Sequence, residues 1–174
     1  MMNPKRHPLA CVITMTLVTV ACGKSARVAP APSTHPAQRP VLTADTAGEG
    51  VVARTNAERR KLGLALLARN GILMRAAQMQ ADQMAATLTM AHELPRARYP
   101  TMTDRLRAVG YTYAAIGENV AAGYPSAASV VAGWMTSPGH RANIASTSYT
   151  EMGAGVATGK NGLRYWAQVF GAPR

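Results

Sequence analysis

The chain has 174 residues, 48% of them hydrophobic but only 5% aromatic, which favours one core packed through many small aliphatic and methionine contacts over several domains. A formal net charge of +11 favours acidic partners. The basic residues are scattered, with Arg59-Arg60-Lys61 as the longest run, and neither zinc-finger spacing nor aromatic interleaving is present, so a nucleic-acid partner is set aside.

In chain order, Lys5 and Arg6 precede a largely apolar stretch from Pro8 to Ala21, and Cys22 follows "VTVA". This is the pattern of a secretory signal. As a helix the apolar stretch would rise only about 21 Å, short of the roughly 30 Å hydrocarbon core of a bilayer. Cys11 lies within the part that would be removed. Cys22 stands where a bacterial lipobox carries its lipidated residue: Ala21 fits that pattern, whereas Thr19 replaces the usual Leu. Residues 1–22 are therefore expected to be a signal of the lipoprotein type, leaving a membrane-anchored protein of the bacterial envelope. Ordinary cleavage to a periplasmic or secreted form is the alternative.

Residues 23–45 hold Pro30, Pro32, Pro36 and Pro40 among Ala, Ser and Thr, with no run of large apolar side chains. Such a segment cannot build a core and reads as a disordered tether, up to about 70 Å long if fully extended. The globular domain is placed at 46–174.

Val51, Val52, Asn56, Arg59 and Leu62 recur at helical spacing until Gly63, and a second helix is expected from about Ile72 to Leu88. Met74, Met79 and Met84 read as core filler rather than a metal stripe. A short helix fits Met102–Val109, closed by Gly110, and "AIGENVAAG" reads as a mostly buried strand. Ser126 can cap a fourth helix, which Pro138 and Gly139 are expected to stop. Two strand-like runs, "MGAGVAT" and "LRYWAQVFG", are joined by the hairpin signal "GKNG". Helices lead and strands finish, so the fold class is α+β.

Taken together, "NAERR", "MAATLTMAH", "RLRAVGY", "IGENVAAG", "VVAGWMTSPGHRANI", "YTEMGAGVA" and "YWAQVFG" resemble, in that order, the bacterial branch of the CAP superfamily, or SCP-like extracellular domain. The resemblance covers about Val51 to Gly171. It implies an α-β-α sandwich with a central, mainly antiparallel sheet. It also implies a cleft of histidine and glutamate side chains, which fall here on His92, Glu118 and His140. Ser137 and Tyr165 stand where the animal branch has its second Glu and a His, so the animal site does not transfer whole.

Two neutral imidazoles and one carboxylate can bind zinc or another divalent metal with a position open to solvent. Equally, Glu118 could pair with a protonated histidine or accept backbone N–H bonds and fix the cleft without a metal. Gln168 lies in a strand and is a further cleft candidate. Asn119 reads as a backbone-bridging amide, Arg141 and Asn143 as turn and sheet anchors, and Trp134 and Trp166 as core. If the protein is an enzyme, His92, Glu118 and His140 are the catalytic candidates for a metal-assisted, peptidase-like hydrolysis. Against that, the sequence has no HExxH spacing, no G-x-S-x-G elbow and no cysteine in the domain. The preferred expectation is a monomeric binding module for an envelope lipid, glycan polymer or protein. A hydrolase comes second and a structural envelope protein third.

Overall fold

The structure, a computed structural model, describes residues 44–174. The expected signal, Cys22 and nearly all of the tether lie outside the described residues. The described chain runs α1 (Ala44–Lys61), β1 (Ala68–Arg69), α2 (Gly71–Thr87), α3 (Met102–Val109), β2 (Tyr113–Ala122), α4 (Ala127–Thr136), α5 (Pro138–Ala145), β3 (Glu151–Thr158) and β4 (Arg164–Pro173). Helix α1 begins seven residues before the apolar periodicity that marked it, because its first turns are rich in small side chains that carry no period.

Local chemistry sets most of the boundaries. Asn70 caps α2 by accepting from the N–H groups of Ile72 and Leu73, and Thr101 and Asp104 close a capping box on α3. Ser126 and Ser129 do the same for α4, and Gly110 ends α3 in the left-handed conformation at φ 76°. Helix α4 ends at Thr136, just before Pro138 as expected, but a further helix that was not expected follows at once. Pro138 is the first residue of α5, where its missing N–H and fixed φ suit a helix start.

The four strands form one sheet in the order β1-β3-β4-β2, with β1 parallel to β3 and the other pairs antiparallel. Alternation along the strands sends Met152, Trp166 and Phe170 to one face, where they pack with Val51, Val130, Trp134 and Ile144 of α1, α4 and α5. Tyr165, Ala167, Val169 and Val120 face the opposite way, onto Leu73, Ala77 and Met84 of α2 and Leu106 of α3. Helices thus cover both faces of a mainly antiparallel sheet, which is the expected α-β-α sandwich.

Beyond the short β1, strand β3 has a free edge, which α2 protects. Gln78 bonds both backbone groups of Val156, and the Met74 sulfur accepts from the Ala154 N–H. This close approach requires Gly153 and Gly155, where an added Cβ would strike the α2 backbone at Leu73–Met74 and at Ala77–Gln78.

Candidate functional site

Strand β2 lies at the other end of the sheet, and its alternation separates two neighbouring polar residues. Glu118 pairs across the ladder with Val169 and shares its face with α3, whereas Asn119 pairs with Gln168 on the face covered by α5.

On the first face, Glu118 is a buried carboxylate whose two oxygens are both engaged. Arg105 Nη2 donates to Oε2 at 2.6 Å, and His92 Nδ1 lies 3.0 Å from Oε1. The side chains of Arg105 and Glu118 are 0% and 3% exposed, while that of His92 is 57% exposed, so a buried ion pair carries a solvent-facing imidazole. The hydrogen bond to the Glu118 carboxylate is the main cause that pushes the His92 pKa above its ordinary value, against partial desolvation. The loop bearing His92 is held from beneath by the buried Gln80, whose amide donates to the carbonyls of Ala91 and His92.

On the second face, α5 is stitched to β2 by amides. Asn143 donates to the Glu118 carbonyl and to Asn119 Oδ1, and Asn119 donates to the His140 carbonyl. His140 Nδ1 lies 2.9 Å from Ser137 Oγ, and its ring packs 6.5 Å from that of Trp134. Burial pushes the His140 pKa down, and the charge of His92 adds to the fall. The two imidazoles come from different elements, His92 from the loop after α2 and His140 from α5. His140 makes no hydrogen bond to His92 or Glu118 among the described residues.

The expected three-ligand zinc set does not fit this arrangement. Glu118 is held by Arg105 and His92, and a metal ion at its oxygens would also face the buried guanidinium. Among the described residues no group of three or more His, Cys, Asp or Glu side chains is placed to hold a metal ion. Gln168 is corrected too. It is fully buried, donates to Thr55 Oγ1, and accepts from Asn119, so it links α1, β4 and β2 inside the core rather than lining a cleft. Tyr165 is likewise buried, with its hydroxyl accepting from Asn161.

Arg105 was not foreseen as a site residue. Its signal was present: it stands beside Leu106 and three residues after Met102, where the inward face of a short helix would ordinarily carry an apolar side chain.

Residues 52–170 match the family model described as CAP, the cysteine-rich secretory protein family, over more than half of the chain. The chain belongs to the CAP family. Among curated relatives, YkwD of Bacillus subtilis (strain 168) is 34% identical over 120 residues, covering 69% of this chain and 45% of YkwD. The chain thus spans less than half the length of that relative. Among solved structures, an extracellular protein containing an SCP domain from Bacillus anthracis str. Ames has a TM-score of 0.66 at 26% identity, covering 72% of this chain and 40% of that one. An outer surface protein from Borrelia burgdorferi has a TM-score of 0.65 at 21% identity, covering 72% of this chain and 92% of that one, and shares the CAP fold. Within the described part of this CAP protein, no helix is long and apolar enough to cross a membrane.

Proposed function

We propose that this CAP protein is an exported, envelope-anchored binding module that takes an acidic group of an envelope lipid, glycan polymer or protein at His92 and His140. One observation supports this reading above the rest: both oxygens of Glu118 are held inside the protein while the His92 ring faces solvent. A carboxylate so engaged is a poor base for water, but it orients an imidazole well, holding Nδ1 and leaving Nε2 as the free ring nitrogen. The two histidines also differ in charge preference. His92 gains its proton more readily than an ordinary histidine and offers a cationic donor to a carboxylate or phosphate. His140 stays neutral more readily and offers a hydrogen-bonding group of the opposite preference.

The test is native mass spectrometry of the protein purified from envelopes, with metal analysis of the same sample and of His92→Ala and His140→Ala. An acidic lipid or glycan retained by the wild type and lost from both variants, with melting unchanged, is the expected result. Stoichiometric zinc that both variants lose would replace this reading with a metal-dependent one. Ligand retention indifferent to both substitutions would reject the cleft.

Anchoring through Cys22 belongs to the same proposal and rests on the sequence alone. Cys22→Ala is expected to release the protein from membranes or to block its processing. Unchanged fractionation would remove the anchor.

A further inference from the structure

The last turn of α1 is basic, Arg59-Arg60-Lys61, and it runs directly into Leu62-Gly63-Leu64-Ala65-Leu66-Leu67. This leucine-rich loop is tied down at several points. The Leu64 N–H donates to the Arg59 carbonyl, the buried Arg59 Nε donates to the Ala65 carbonyl, and the Asn56 amide bonds both backbone groups of Leu67. Gly63 makes the reversal at φ +70°. Of the leucines, Leu67 turns into the core at 3% exposure, whereas Leu62 and Leu66 stay 39% and 49% exposed. A loop free to move could fold such side chains away; this one is fixed with them outside.

The ground beside the loop continues the pattern. Leu62 and Leu64 form one side of an open groove whose other side is the α4–α5 elbow, with Met135, Pro138 and Arg141. Arg60 and Arg141 are exposed and have no ion-pair partner among the described residues, and Lys61, though paired with Glu58, is 70% exposed. Apolar tips rimmed by cations match the layering of a bilayer surface, with hydrocarbon below and phosphates above. A second copy would bring two cationic rims face to face, which like-charge repulsion opposes.

We propose that the 62–66 loop, with Arg60, Lys61 and Arg141 at its rim, is a docking surface for a bilayer rich in anionic phospholipid. It does not depend on a ligand being held at His92 or His140. Through it the domain would lie against the membrane with Leu62 and Leu66 at the acyl boundary.

The experiment uses the full chain with Cys11→Ser and Cys22→Ser, carrying an environment-sensitive fluorophore on Leu66→Cys or, as a control, on Asp82→Cys of α2. Phosphatidylglycerol vesicles are expected to shift the emission of the Leu66 probe to the blue and shield it from aqueous quencher. Phosphatidylcholine vesicles are not, even where the amino-terminal apolar segment brings the chain to them. Arg60→Ser/Lys61→Ser/Arg141→Ser is expected to weaken the Leu66 response at least tenfold in lipid concentration, with circular dichroism and melting unchanged. An equal response to both lipids, an equal response at Asp82, or none at Leu66 would overturn the proposal. So would a shift that grows with protein concentration without vesicles, which would assign the loop to self-association.

Discussion

Arg105 and Glu118 form an ion pair at 2.6 Å with both side chains shut away from solvent, and the Nε and Nη1 of Arg105 have no hydrogen-bond partner among the described residues. Such a pair is costly to break and incompletely compensated while intact. Its contribution here is positional: it holds the carboxylate that holds His92.

Removing one partner leaves the other as an uncompensated buried charge. Arg105→Met and Glu118→Leu are each expected to cost about 3–5 kcal/mol, read from the urea midpoint of unfolding. The double variant is expected to recover much of that loss. If the single changes cost less than about 1 kcal/mol, solvent reaches the pair and the burial described above is wrong.

The two histidines are expected to bend the pH dependence of stability in opposite directions. The folded pKa of His92 is raised, so its contribution is fully present below the ordinary histidine value and is lost as pH rises through the higher folded value. The folded pKa of His140 is lowered, so its contribution is present above the ordinary value and is lost as pH falls through the lower folded one. Urea unfolding of His92→Gln and His140→Gln between about pH 5 and 8, the range around an ordinary histidine, measures both slopes. A change of the same sign in the two variants would contradict this assignment.

Arg59 is a fully buried cation that donates to three carbonyls, those of Ala65, Ile144 and Ser146, and so ties the leucine loop and the end of α5 to α1. Arg59→Met is expected to cost about 3 kcal/mol, because carbonyls are left without donors in the interior. The His140 ring resonances should move as well, since α5 loses the anchor at its carboxyl end. A stability loss with unchanged His140 signals would confine the role of Arg59 to the loop.

Gly153→Ala is expected to be among the most damaging single-methyl additions in the domain, because the new carbon would strike the α2 backbone rather than a side chain able to turn aside. Gly139→Ala, where nothing lies within reach of an added carbon, is the matched control. Thermal melts of the two should differ by well over about 1 kcal/mol. Equal melts would mean that α2 and β3 are further apart than described.

Much of the fold was legible in order along the chain. Caps and stops such as Gly110 and Ser126 act within a few residues of themselves, so the elements they bound could be read before any tertiary contact was known. The hairpin of β3 and β4 is equally local. Pro138 marks the end of α4 correctly but hides the start of α5, because proline can end one helix and begin another, and only the packing of Ile144 in the core shows that a second helix follows. The two-residue β1 carries no periodicity and exists because β3 offers it partners.

The motifs alone named the candidate side chains, since His92, Glu118 and His140 stand in recognisable runs. The sequence also sets the alternation along β2 and β4 that separates Glu118 from Asn119. How those candidates are used depends on contacts that exist only in the folded chain. A carboxylate is a ligand, a base or half of an ion pair according to what faces it, and the group facing Glu118 is Arg105, thirteen residues away on a helix whose docking depends on the whole core. Gln168 went into the interior rather than the cleft for the same reason: its strand position set the face, and the presence of Thr55 on α1 and Asn119 on β2 made that face dry. Polar side chains take their chemistry from partners distant in sequence, and those partners are chosen by packing.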